Sequence, residues 1–236
     1  GGPVSMNALS TNTAYVHDVD LVIGGITVSV IKPEIEVGGT TGAHLGGDFE
    51  VNADGIDVVA TANNSATSDS NSVEIAGITV DVTNRDTATS HVTEALVGDL
   101  ADLVITNGPL SLDAQSTNEA RVGEVGSDLG GIVVNVVSPD AKDDGVTRAC
   151  VGEQATIEAP DLEVLAFADN TVVARANLSS LLGITVDVAT PTAESTHEVQ
   201  ACVGDDATLV VEGETSVNAV NENDVTAEAT STGVAV

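Results

Sequence analysis

The chain has 236 residues, enough for a substantial core, and carries 37 acidic residues against 6 Lys plus Arg, a net charge of −31. That charge repels nucleic acid and anionic lipid, attracts divalent cations, and keeps a long assembly soluble and free of lateral clumping. Apolar residues reach 42 % and aromatics only 1 %, so disorder is excluded while the rings that fill most compact cores are missing; Val, Ile, Leu and Ala must pack in thin, regular layers.

The first element is an alternating run, Val4, Met6 and Ala8, followed by Asn12. A glycine with β-branched residues comes next, Gly25-Ile26-Thr27-Val28-Ser29-Val30, and Pro33 stands three residues beyond it. Ala43-His44-Leu45-Gly46-Gly47 then reads as a corner, and Val51 and Ala53 open a short further strand. From residue 56 the order returns: Ile56, Val58, Ala60 and Asn64; Gly77-Ile78-Thr79-Val80-Asp81-Val82; Ala95-Leu96-Val97-Gly98-Asp99; Leu103 and Ile105. It returns again with Leu110, Leu112, Ala114 and Asn118; Gly131-Ile132-Val133-Val134-Asn135-Val136 and Pro139; Ala149-Cys150-Val151-Gly152-Glu153; Ile157 and Ala159. A further round holds Leu162, Val164, Ala166 and Asn170; Gly183-Ile184-Thr185-Val186-Asp187-Val188 and Pro191; Ala201-Cys202-Val203-Gly204-Asp205; Leu209 and Val211. Thr215, Val217, Ala219 and Asn223 begin another, and Gly233-Val234-Ala235-Val236 opens a fifth glycine strand.

The asparagines are spaced 52, 54, 52 and 53 residues apart, and both glycine series 52, 54 and 52. Agreement of separate markers on one period defines units 1–46 (partial), 47–98, 99–152, 153–204 and 205–236 (partial), a single repeat array. Each marker alternates with period two, so each is a strand with one buried face, and no stretch shows helical spacing. A unit of about four strands cannot bury its inner face alone, whereas stacked copies can. The expected fold is therefore all-β, a parallel β-solenoid (β-helix) of ~52-residue repeats with one or two coils per repeat. An interior of Val, Ile and Ala must be about 10 Å thick, which both geometries satisfy; two coils is preferred. A string of antiparallel sandwiches is the alternative, disfavoured because Asn-Gly and Asp-Gly turns do not recur at the strand junctions of every unit, and Asp54-Gly55 falls where the repeats differ in length.

Stacking makes structural ladders of Asn12, Asn64, Asn118, Asn170 and Asn223, of Gly25, Gly77, Gly131 and Gly183, and of Gly46, Gly98, Gly152 and Gly204. Cys150 and Cys202 share a repeat position. A buried, unpaired thiol ladder is preferred to a disulfide or metal pair, because parallel Cβ vectors disfavour the bond. His91 and His197 are also equivalent and read as a surface ladder, since zinc would need further ligands nearby. Structural calcium is weighed on Asp81 with Asp187, or Asp99 with Glu153 and Asp205, against a solvated acidic surface, the preferred reading; no cofactor is expected. Catalysis in a β-helix needs a carboxylate pair or basic residue in a groove, and sugars stack on aromatics. Here Tyr15, Phe49 and Phe167 stand alone, so no enzyme is expected. Ice binding is weak because Val133 interrupts the series Thr27, Thr79 and Thr185.

The run from Thr147 to Ile157, Thr-Arg-Ala-Cys-Val-Gly-Glu-Gln-Ala-Thr-Ile, resembles the repeat of giant secreted bacterial β-strand-repeat proteins, relatives of filamentous-haemagglutinin-like adhesins. Those read Thr-X-Ala-Tyr-Ile-Gly-Asp-Gly-Ala-X-Val and then an Asn-Thr-Ala-like stretch. Ala207-Thr208-Leu209 and Thr226-Ala227-Glu228-Ala229-Thr230 fit the same scheme, while His44, Leu96, Cys150 and Cys202 replace its aromatic. The resemblance implies an exported, extracellular or cell-surface fibre and carries over no catalytic residue. Two functions follow: a filament subunit or segment joined head-to-tail to copies of itself by strand pairing at uncapped end rungs, or an adhesin stalk. An adhesin needs a non-repeating loop, for which Ser138 to Gly145, with Lys142, is the candidate. No apolar stretch approaches the ~20 residues of a membrane helix. No secretory leader is visible, and an opening Gly1-Gly2-Pro3 without initiator Met suggests a processed or excised piece.

Overall fold

A computed structural model describes residues 1–181 and 183–234; Ala235 and Val236, the end of the fifth glycine strand, lie outside the described residues. The chain is all-β. In order the strands are β1 (Val4–Ile31), β2 (Glu34–Leu45), β3 (Glu50–Ala53), β4 (Ile56–Val97), β5 (Asp102–Ile105), β6 (Leu110–Asp143), β7 (Val146–Val151), β8 (Thr156–Ala159), β9 (Leu162–Leu181), β10 (Ile184–Ala189), β11 (Thr192–Ser195), β12 (Glu198–Val203), β13 (Thr208–Val211) and β14 (Thr215–Val234). They form a 10-stranded sheet and a 4-stranded sheet, the latter in the order β13-β8-β5-β3.

All pairings among the described residues are parallel, which removes the antiparallel sandwich alternative. Val4 lies opposite Ile56, Ile56 opposite Leu110, Leu110 opposite Leu162 and Leu162 opposite Thr215. In the smaller sheet Val51, Leu103, Ile157 and Leu209 stand in line. Partners are thus 52 to 54 residues apart, and none of the described residues pairs near 26. One broad coil spans each offset, so the preference for two coils is corrected. The two halves of a unit face each other across the interior instead of stacking.

Cross-interior contacts show the shape of a coil. Ser116 and Thr147, 31 residues apart, are 2.6 Å apart through their hydroxyls. Arg85 reaches Ser68, 17 residues away, and Asn135 reaches Asp128, 7 away. The chain runs out, folds at the glycine column of Gly25, Gly77 and Gly131, and returns. It then turns at the Gly46, Gly98, Gly152 and Gly204 corner into the short side of a wedge.

The wide end of the wedge holds the main core, where Ile56, Val58, Leu103, Leu110, Leu112, Ile157 and Leu162 are almost completely buried. Each such side chain contributes about 1.5–3 kcal/mol by leaving water. The narrow end differs from the expected Val, Ile and Ala filling. In the second coil even-numbered residues point inward as far as Ala76, and odd-numbered ones from Thr79 onward. The pairing skips Gly77, and the fold there exchanges the faces. Thr79, Asp81 and Thr83 are therefore buried, while Ile78 faces solvent and Val80 and Val82 are half-buried. The β-branched marker turns its apolar side outward.

The corner needs glycine because successive coils nearly touch there: a Cβ on Gly152 would lie 2.5 Å from the Asp99 backbone nitrogen, and one on Gly204 2.6 Å from that of Glu153. Two residues beyond each of these glycines the backbone turns left-handed, at Asp48 (φ 55°), Leu100 (φ 59°), Gln154 (φ 56°) and Asp206 (φ 58°). The two extra residues of the 54-residue offset sit at the other corner, Thr106 to Pro109, between Ile105, which lies opposite Ala53, and Leu110, which lies opposite Ile56. Ser138 to Asp143 is not a projecting loop: it belongs to β6 and pairs in register with Asn84 to Thr89.

Candidate functional site

The distinctive chemistry lies in columns of polar side chains along the narrow interior. Asn12 Nδ2 donates to Asn64 Oδ1 at 2.9 Å, Asn64 to Asn118 at 2.8 Å, Asn118 to Asn170 at 2.8 Å and Asn170 to Asn223 at 2.9 Å. Register stacks each amide directly over the next, so every link repeats the same geometry. Asn64, Asn118 and Asn170 are buried. Asn118→Ala should cost about 1–3 kcal/mol, since Asn64 loses an acceptor and Asn170 a donor in a dry interior. A denaturant midpoint unchanged by this substitution would show that water replaces the amide.

His91 and His197 are not a surface ladder; both are buried. Their column alternates with glycine: His91 lies opposite Gly39, Gly145 follows His91 by a coil, and His197 follows Gly145 by another. A Cβ on Gly145 would come within 2.7 Å of the His197 ring, so the glycine makes room for the imidazole. His91 Nε2 is 2.8 Å from Thr41 Oγ1, and His197 Nε2 is 2.9 Å from Thr147 Oγ1. His197 Nδ1 lies 3.1 Å from Asp143 Oδ2, and Thr89 donates to Asp143 Oδ1 at 2.9 Å. Burial holds the His91 imidazole below its ordinary pKa. Asp143, His197 and Thr147 thus set carboxylate, imidazole and hydroxyl in a row. Thr147 is wholly buried, however, and this row has no face open to a substrate.

Arg85 was not singled out by sequence, though one signal points to it. It stands in the column of Pro33 and Pro139, breaking the proline series. Its guanidinium is fully buried and ties three coils together. Nη2 donates to Asp18 Oδ2 at 3.1 Å, Nη1 to Ser68 Oγ at 3.2 Å, and Nε lies 3.5 Å from Glu124 Oε2. Burial drives the Glu124 carboxyl up to about 7, with Arg85 opposing the shift.

Towards the fold, Glu74, Asp81 and Asp128 are also buried, and burial raises each pKa. Asp81 and Asp187 do not stack directly, because Asn135 stands between them in register. Its Nδ2 donates to Asp187 at 3.0 Å and Asp128 at 2.6 Å. At the corner, Asp99 Oδ1 accepts from the Glu153 backbone N–H at 2.8 Å. Among the described residues no three His, Cys, Asp or Glu side chains are grouped to hold a metal.

Cys150 and Cys202 form a disulfide with Cα atoms 4.6 Å apart, in place of the expected free thiols. Direct register pairing brings the two backbones inside disulfide range, and the side chains rotate to meet. The bridge lines a surface groove of about 560 Å³ shared with His44, Leu96 and Arg148. Arg148 and His44 both contact Glu94.

No protein family, curated protein or solved structure matches the chain in comparisons by sequence and by fold.

Proposed function

We propose that the chain is a parallel β-solenoid, a segment of an extracellular filament extended by strand pairing at its coil edges. The supporting observation is the register: positions 52 to 54 residues apart pair in parallel along the array, and the asparagine amides continue across every junction. A coil built this way leaves on its outer edge the same N–H, C=O and amide pattern that its inner edge satisfies, which is a template for the next coil. A further coil of a longer chain and a second molecule are equally good occupants of that edge. The disulfide between adjacent coils supports an oxidising, extracellular setting. A structural role also accounts for functional groups sealed in the interior. The adhesin alternative would need a protruding segment, and Ser138 to Asp143 lies flat in the sheet.

Purified chain should assemble into long, unbranched fibres with a meridional reflection at ~4.8 Å. Negative-stain images showing dispersed single particles at all concentrations would rule out self-propagating edges.

A further inference from the structure

The Cys150–Cys202 bridge joins two coils at a place where strand pairing already holds them. The cysteines lie opposite each other in the β7–β12 pair. Backbone hydrogen bonds tie the same two coils on either side, from Glu198 N–H to Gly145 O at 3.0 Å and from Gly204 N–H to Val151 O at 2.8 Å. The Cα separation of 4.6 Å is close to the ~4.8 Å that pairing imposes on every residue facing its copy. With the bond open, register alone still sets the two sulfurs side by side. Ala149 and Val151 point into the core, so the cysteines point outward and line the groove of about 560 Å³ at the glycine corner. Their surroundings differ. Cys150 is 8 % exposed, closed in between Leu96 and Cys202 in its column, whereas Cys202 is half-buried. Arg148, two residues before Cys150 on the same outer face, lines the groove too; Glu94 engages its Nη2, and its Nε has no hydrogen-bond partner.

We propose that Cys202 is a covalent site for low-molecular-weight thiols, entered through the corner groove, with Cys150 as the leaving sulfur. A thiolate RS⁻ attacks Cys202 Sγ, and a bond forms between the two sulfurs as the Cys150–Cys202 bond breaks. The electron pair of the broken bond stays on Cys150 Sγ as a thiolate, whose charge the neighbouring Arg148 guanidinium favours. A second RS⁻ then attacks the R sulfur of the mixed disulfide, giving RSSR and a Cys202 thiolate. Two thiols are thereby oxidised and the bridge is reduced, with each cysteine taking up one proton. Exposure selects the sulfur attacked, because Cys150 is shielded on both sides of its column and Cys202 is the more open. Groove size selects the partner: the volume admits a small thiol, while a protein cysteine must be carried in on a projecting segment. Pairing on both sides of the bridge makes the step reversible, since neither coil is released when the bond opens.

Exchange with 2-mercaptoethanol, which is small and uncharged, tests this on the native chain. After brief treatment and quenching in acid, peptide mapping without reduction should find the mixed disulfide on Cys202 about tenfold more often than on Cys150. Complete reduction should leave the circular dichroism of the sheet unchanged, and 2-hydroxyethyl disulfide, the oxidised form of the same thiol, should restore the bond. Arg148→Gln should slow the first step about fivefold at pH 8, and Arg148→Lys, which keeps the charge, should recover most of the rate. None of these readouts involves fibre growth, so the proposal stands or falls apart from the filament reading. A bond that opens only in denaturant would show a sealed staple and overturn the proposal. Adducts shared evenly between the cysteines, loss of the sheet signal on reduction, or an Arg148→Gln rate equal to wild type would each overturn it as well.

Discussion

Replacing Arg85 with methionine should lower stability by about 3–5 kcal/mol at pH 8, far more than the loss of a few hydrogen bonds. Arg85 is wholly buried, and its guanidinium is the only cation in contact with the buried Glu124 among the described ion pairs. Methionine has similar length and fills the space, so the cost arises from charge: an uncompensated carboxylate is left inside the wedge. Two further outcomes distinguish this from a packing defect. Adding Glu124→Gln should restore most of the loss, because no buried charge then remains beside position 85. Lowering the pH to 5 should also shrink the penalty, since Glu124 already titrates at about 7 with the guanidinium beside it and higher without it. Urea midpoints of the two single variants and the double variant, at both pH values, complete the cycle. A penalty equal at pH 5 and pH 8 would show that Arg85 acts through shape.

This residue illustrates where the sequence is readable and where it is not. Strands, the absence of helix and parallel stacking all follow from period-two alternation recurring at a fixed offset, and the structure is all-β with parallel pairing. Alternation defines two faces without saying which is inside. The choice is made at Gly77 and Gly131, where a backbone event smaller than any composition signal exchanges them. Hence Ile78 and Ile132, the most core-like residues of the marker, lie outside, and Asp81 and Asn135 lie inside. The histidines are hidden for a related reason. Their space is made by Gly39 and Gly145 in neighbouring coils, so the readable signal was an alternation of glycine and histidine at one register position, not a ligand spacing. The single versus double coil was undecidable from apolar content alone, because the wide end is apolar and the narrow end polar. Arg85 occurs once and has no period; only its replacement of a proline marks it.

The buried carboxylates also set the direction of the pH response. A carboxyl whose pKa rises on folding binds protons more tightly in the native state, so its contribution is fully present below its unfolded value and is lost as pH rises through its folded value. For Glu124 that window runs from 4.5 to about 7, and the loss across it is about 3 kcal/mol at ~1.4 kcal/mol per pH unit. Glu74, Asp81, Asp113, Asp128 and Asp140 shift in the same direction, each chiefly through burial. His91 opposes them: its lowered pKa removes stability as pH falls below 6.5. One imidazole against six carboxyls leaves the balance on the acidic side, and protonation relieves the general repulsion of a chain at −31. The chain should therefore be more stable at pH 5 than at pH 8 by ~3 kcal/mol or more, the reverse of ordinary acid denaturation. Glu124→Gln should flatten the curve between those values by about 3 kcal/mol, because glutamine cannot titrate and retains the side-chain volume. Thermal unfolding followed across this range decides it. A midpoint that falls steadily on acidification would mean that the interior carboxylates are hydrated, and the sealed narrow end of the wedge would have to be abandoned.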